Sequence, residues 1–138
     1  MNGERDYMDK LDIVTDESGN RVVLLPEIIF SNKQNINWDD VEDYLGKYVG
    51  ELIEIAETRD IIYIGNKFPD EYGGSSYTRK TKGARAKAKA NAAQGIREMV
   101  EIATDKVYRE NHKEKHSEDA HNGWFYYVTR FAIPLYNN

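Results

Sequence analysis

Two short runs of β-favouring residues near the start of the chain predict a β-hairpin. Leu11–Thr15 and Arg21–Leu25 form these runs, and Asp16–Asn20 between them is a cluster of turn-forming residues that tolerates positive φ. Pro26 ends the second run, because proline cannot donate a hydrogen bond to a neighbouring strand. Glu27–Phe30 are expected to continue as an edge strand.

The next segment changes from helical to alternating periodicity. Asn37 can cap a helix that begins at Trp38, and an apolar stripe at helical spacing continues to about Gly50. Leu52–Ala56 and Ile61–Gly65 are rich in β-branched residues and flank a polar corner, which predicts a second, mostly buried hairpin. The alternative is one continuous helix, which would place two glycines in its interior at about 1 kcal/mol each. The hairpin is therefore preferred.

An alanine-rich segment follows a predicted loop at residues 69–76. Six alanines between residues 83 and 94 predict a helix, because alanine has the highest helix propensity. Lys82, Arg85 and Lys89 share one face of this helix. A second, smooth face that can approach a sheet closely carries Ala86, Ala90 and Ala93.

Aromatic residues concentrate near the end of the chain. Residues 124–136 predict one long strand or two consecutive strands, and Lys106–Arg109 predict another. Because the aromatic segment is apolar on both faces, it is expected to lie centrally in a sheet. Together these elements predict an α+β fold, a twisted and mostly antiparallel sheet with two or three helices packed on one face. Residues 1–27 are expected to form an acidic hairpin extension of a single domain at 28–138.

Composition narrows the possible functions. The chain has 138 residues, 40% hydrophobic and 31% charged, which is typical of one globular domain. The absence of cysteine excludes disulfides, thiolate zinc sites and cysteine nucleophiles. No apolar run approaches the roughly 20 residues of a membrane span, and the first ten residues carry no secretory signal. A cytoplasmic protein without a membrane partner is the expectation.

Charge is unevenly distributed along the chain. The net charge is −5, yet Tyr72–Arg97 contains seven basic residues and no acid. In a protein whose overall charge repels nucleic acid, such a stretch is what a local phosphate-binding surface would require. The alternative is a solvated helix face paired with the acidic N-terminal half. The candidate nucleic-acid-binding residues are Arg79, Lys80, Lys82, Arg85 and Lys89.

The three histidines lie in one polar segment, residues 109–123. His112 and His116 are four residues apart, but Glu114 does not occupy the general-base position of zinc proteases and a third ligand is not assigned. An exposed histidine-rich loop is therefore the simpler interpretation. No metal or other cofactor is expected.

Metal-independent cleavage of a phosphodiester bond needs an acid–base group, cations and a ring platform near one phosphate. His116 suits the first role because histidine titrates near neutrality. Lys115, Arg130 and the basic helix can stabilise the developing charge, and Tyr126 or Tyr127 can stack a base or position the sugar. Each residue also has a structural interpretation: a surface histidine, a cation paired with an acid, and an ordinary strand tyrosine.

The chain also resembles a known family. The residues that carry the resemblance are Asn91–Ile96, Glu101–Thr104, Lys115–His116 and Gly123–Pro134. They resemble a family of small proteins from Firmicutes and their mobile elements, which is similar in turn to the phage-associated branch of the barnase, EndoU, colicin and RelE-like nuclease superfamily. The resemblance covers residues 28–137 and implies helices followed by a four-stranded antiparallel sheet whose concave face cuts RNA without a metal.

The resemblance does not assign a catalytic set, because members of that superfamily use different active-site residues. Lys115, His116, Tyr127 and Arg130 are therefore candidates by residue type. The expected function is a small RNA-directed nuclease. The alternatives are a non-catalytic module of a phage or mobile element that binds nucleic acid or an acidic protein, and a structural protein with no nucleic-acid role.

Overall fold

The computed structural model describes residues 10–31, 35–110 and 123–134 and confirms the α+β class. Its strands are β1 (Ile13–Thr15), β2 (Arg21–Leu24), β3 (Leu52–Glu54), β4 (Ile61–Tyr63), β5 (Thr104–Arg109), β6 (Trp124–Val128) and β7 (Phe131–Ala132). Its α-helices are α1 (Trp38–Leu45), α2 (Phe68–Gly73), α3 (Ser76–Lys80), α4 (Gly83–Ala92) and α5 (Ile96–Glu101). Short 3₁₀ turns follow α1 at Gly46–Tyr48 and α4 at Ala93–Gly95.

Antiparallel pairing predominates, as predicted, but the described strands form three small sheets where one was expected. β1 pairs antiparallel with β2, and β2 pairs parallel with β7. β3 and β4 form a second antiparallel sheet, and β5 and β6 form a third. The aromatic segment is thus two consecutive strands, β6 and β7, that belong to different sheets. The central position predicted for it is wrong for β6, which has one strand neighbour among the described residues.

The N-terminal hairpin is confirmed, and its turn has a clear local cause. The Asp16 carboxylate accepts hydrogen bonds from the backbone N–H groups of Ser18 and Asn20, both at 2.9 Å. Gly19 has φ +87°, which glycine adopts without strain. The edge strand predicted for residues 27–30 is wrong: these residues have no strand pairing among the described residues and are instead held by the side chains of Asn91 on α4 and Gln94 in the 3₁₀ turn after it.

The alanine face predicted for α4 is confirmed and lies in the core. Ala86, Ala90 and Ala93 are all fully buried there. The N-terminal hairpin shares this core, because the side chains of Val23 and Leu25 pack close to Gly95. The division into residues 1–27 and 28–138 stays a prediction.

The second hairpin, β3–β4, is confirmed, but the prediction that it is mostly buried is wrong. Ile53 and Ile64 face the core, whereas Leu52, Ile61 and Tyr63 are exposed on the other face. The reason is the strand alternation itself, since the helices cover one face of this two-stranded sheet. Within the described ranges, no helix has the length and apolar character needed to cross a bilayer. A cytoplasmic location stays a prediction.

Candidate nucleic-acid interface

Residues 69–76 were predicted to form a loop ahead of the alanine-rich helix α4. That prediction is wrong for residues 69–73, which belong to α2, and for Ser76, which begins α3. Ser75 provides the local reason for α3, because its side chain accepts a hydrogen bond from the backbone N–H of Thr78 at 3.0 Å. Gly83, at φ +76°, then turns the chain into α4.

The turn between α3 and α4 carries a surface that we call the basic corner, formed by Tyr77, Lys80, Lys82 and Arg85. All four residues are exposed, and Tyr77 is 70% exposed. The guanidinium of Arg85 donates to the Tyr77 hydroxyl at 3.4 Å. Among the described residues, no carboxylate forms a salt bridge with any of its three cations. The basic corner is therefore a cationic surface that is not neutralised within the described part of the molecule.

Arg79, also a candidate nucleic-acid-binding residue, has a different environment. One of its guanidinium nitrogens lies 2.6 Å from the carboxylate of Glu42 and 3.0 Å from that of Asp39, and its Nε donates to the carbonyl of Gly73 at 2.9 Å. Glu42 and then Asp39 raise the pKa of Arg79. Arg79 therefore fastens α3 to α1, and its role in RNA contact stays a prediction.

Lys89 is turned toward the body of the protein. Its ammonium group donates to the Thr78 hydroxyl at 3.0 Å and lies 5.2 Å from the centre of the Tyr72 ring. Burial lowers the pKa of Lys89. The Tyr72 hydroxyl in turn donates to the Lys89 carbonyl at 2.5 Å. Lys89 thus contributes to the packing of α4, whereas Lys82 and Arg85 on the same predicted face are exposed.

Strands β5 and β6 form a two-stranded sheet that we call the aromatic ribbon. Arg109 pairs with Trp124 and Val107 pairs with Tyr126, so these four side chains share one face. Trp124 and Tyr126 are 40% and 51% exposed. The Arg109 guanidinium lies 5.9 Å from the centre of the Tyr126 ring. This outer face combines exposed rings with a cation.

The opposite face of the ribbon, which also carries the exposed rings of Tyr108 and Phe125, is fastened to the second hairpin through Asp60. One carboxylate oxygen of Asp60 accepts from the Tyr127 hydroxyl at 2.7 Å and from the Thr58 hydroxyl at 2.8 Å, and it lies 2.8 Å from the Lys106 ammonium. The hydrogen bonds from Lys106, Tyr127 and Thr58 lower the pKa of Asp60 to about 2. We call this arrangement the Asp60 clasp.

The structure describes two of the four candidate catalytic residues, Tyr127 and Arg130. Tyr127 is half-buried, and burial together with its bond to Asp60 raises its pKa. Arg130 lies between β6 and β7, where its carbonyl accepts from the N–H of Val23 at 3.0 Å, and it makes no salt bridge with a described acid. His116 and Lys115 lie outside the described residues. Their assignment to a common site stays a prediction.

A mainly apolar cleft of about 380 Å³ lies beside the Asp60 clasp. Tyr127 and Thr129 line it on one side, and the Thr129 hydroxyl donates to the carbonyl of Met99 at 2.7 Å. In residues 10–31, 35–110 and 123–134, no group of three potential metal ligands comes together. The candidate functional groups of the described residues are therefore the cations of the basic corner, the rings of the aromatic ribbon and the carboxylate of Asp60.

Several residues of this surface were not identified from sequence. Tyr77 could have been found, because it lies two positions before Arg79 in the basic segment. Arg109 could also have been found, because basic and aromatic residues are interspersed in β5. Asp60 offered no signal, since its partner Tyr127 is 67 residues away in the chain.

Comparisons of this chain with protein-family models, with curated proteins and with solved structures found no match. The nuclease resemblance stays a prediction.

Proposed function

We propose that this chain is an RNA-directed domain that cleaves phosphodiester bonds without a metal ion. The observation that carries the proposal is the basic corner, where Lys80, Lys82 and Arg85 lie beside an exposed tyrosine with no described acid paired to them. A protein of net charge −5 attracts a polyanion through such a local surface. Phosphate contacts at the basic corner position the RNA without reading its sequence.

The cleavage step is assigned to the C-terminal segment. The ribose 2′-hydroxyl attacks the adjacent phosphorus, the bond from phosphorus to the 5′ oxygen breaks, and a proton is transferred to the leaving oxygen. His116 acts as general acid and base in these transfers. Lys115 and Arg130 stabilise the charge on the phosphoryl oxygens, and Tyr127 contacts a ring of the substrate. The products are a 2′,3′-cyclic phosphate and a free 5′-hydroxyl.

The test of binding uses a single-stranded RNA probe titrated at several salt concentrations. Each phosphate contact contributes about 0.7 to the slope of log affinity against log salt for a single strand. Replacing Lys82 and Arg85 together by alanine should lower this slope by about 1.4. The matched control removes two exposed lysines elsewhere, Lys47 and Lys67, and should leave the slope unchanged. Equal slopes for both double variants would contradict the assignment of the basic corner.

The test of cleavage uses the same RNA in the presence of a chelator. The unmodified protein should produce cyclic-phosphate ends, and His116→Ala should abolish cleavage while it keeps its RNA affinity. Loss of cleavage on chelation would refute a metal-independent mechanism.

A second candidate is a non-catalytic nucleic-acid-binding module of a phage or mobile element. The Asp60 clasp favours it, because Tyr127 is already bound to a carboxylate. Such a module would bind RNA with the same salt dependence but show no cleavage. A protein that binds only an acidic protein partner would show no affinity for RNA even at low salt, where phosphate contacts are strongest.

A further inference from the structure

The outer face of the aromatic ribbon has a composition that the basic corner does not explain. Trp124 and Tyr126 lie two residues apart on β6, so their rings project on the same side. β6 contains no charged residue, and Arg109 stands across from Trp124 on β5. The rings are therefore exposed next to Arg109, which forms no salt bridge with an acid of the described residues.

We propose that this face stacks the unpaired bases of single-stranded RNA, so that the substrate class is single-stranded. This inference rests on the proposed RNA-directed function and adds to it. Successive bases of a single strand stack on aromatic side chains while a nearby cation contacts the backbone. The spacing of Trp124 and Tyr126, two residues along a strand, is roughly 7 Å, which is enough for each ring to receive a separate base.

Single strands fit this face better than duplex RNA or an apolar protein. In a duplex the base faces are covered by their stacked neighbours, and the deep, narrow major groove is closed to side chains. An apolar protein surface would bury the Arg109 guanidinium without a partner, which is costly. A phosphodiester backbone supplies the missing negative charge instead.

The first measurement compares two probes in a fluorescence-anisotropy titration. The probes are a 12-nucleotide 2′-O-methyl RNA, which cannot be cleaved through its 2′-hydroxyl, and the same strand annealed to its complement. Tyr126→Ala should weaken binding of the single strand about tenfold, whereas Tyr126→Phe should retain it, because the ring does the stacking. Tyr63→Ala is the matched control, since Tyr63 is also an exposed strand tyrosine but lies on β4, and it should leave the affinity unchanged.

The second measurement uses the two tryptophans of the chain. Trp38 is buried and Trp124 is exposed, so a base stacked on the ribbon should quench the emission of Trp124. Trp38→Phe should keep the quenching, and Trp124→Phe should remove it. Arg109→Ala should reduce both affinity and salt slope, whereas Tyr126→Ala should reduce affinity alone.

The outcomes separate this inference from the proposed function. If Tyr126→Ala binds the single strand as tightly as the unmodified protein, while the double alanine variant of Lys82 and Arg85 lowers the salt slope, the ribbon proposal is overturned and the RNA-directed function stands. If the unmodified protein binds neither probe at low salt, the ribbon proposal and the RNA-directed function both fail. Preferential binding of the duplex, or a dimer in sedimentation that Tyr126→Ala dissociates, would also overturn the ribbon proposal. Circular dichroism of each variant verifies that it is folded.

Discussion

Asn91 allows a direct test of how much buried hydrogen bonds contribute to stability, because its fully buried amide joins α4 to the segment after β2. Its oxygen accepts from the N–H groups of Ile29 and Phe30 at 2.8 and 3.1 Å, and its nitrogen donates to the Phe30 carbonyl at 3.0 Å. Asn91→Ala removes the partner of all three backbone groups. At about 1 kcal/mol each, the free energy of unfolding should fall by about 3 kcal/mol.

Urea denaturation followed by circular dichroism measures this loss, and for a chain of this size the midpoint of thermal unfolding should fall by roughly 10 °C. The slope of the urea transition should stay the same, because the surface exposed on unfolding does not change. The Asn91 nitrogen also donates to the Lys87 carbonyl at 2.8 Å, so Asn91→Asp would place a carboxylate oxygen against the carbonyls of Phe30 and Lys87 and should be at least as destabilising. Asn66→Ala, at an exposed position, should change stability by less than about 0.5 kcal/mol. A loss below about 1 kcal/mol for Asn91→Ala would refute the reasoning.

Two further predictions concern backbone packing and pH. Gly74→Ala should destabilise the protein by about 1–3 kcal/mol, because the new Cβ would lie 2.6 Å from the Asp70 carbonyl oxygen. Gly46 has helical φ and open space around it, so Gly46→Ala should stabilise the protein by about 0.4–1 kcal/mol. Urea midpoints of the two variants that move in the same direction would contradict this reasoning. The pKa of Asp60 is about 2 in the folded protein and near 3.8 when unperturbed, so its contribution to stability is complete above about pH 4 and is lost as the pH falls toward 2. The urea midpoint of Asp60→Asn should therefore approach that of the unmodified protein as the pH is lowered from 5 to 2.5, and a constant difference would show that the carboxylate charge is not responsible.

The elements that sequence predicted well are those with local causes. The helix beginning at Trp38 starts where Asn37 accepts from the N–H of Asp40, a contact between residues three apart. The alanine-rich helix and both hairpins follow from propensity and turn residues over short stretches. Patterns of this kind contain the information needed to place an element, although they do not say which elements become neighbours.

The site was less predictable, because its properties depend on contacts between distant residues. Composition identified the basic segment, but it could not separate Arg79, which pairs with Glu42 on α1, from Lys82 and Arg85, which stay exposed. Apolarity on both faces likewise did not distinguish a buried strand from the exposed β6. The hydrophobic pattern reports which side chains are apolar, and burial depends on what else packs against them.

The short parallel pairing of β2 with β7 has a consequence for the order of assembly. Val23 and Leu24 are synthesised about 108 residues before their partners Phe131 and Ala132. Until then the β2 edge has unsatisfied backbone groups, and such an edge can pair with another chain. Nascent chains that stall before this point should thus be more prone to aggregation than finished ones.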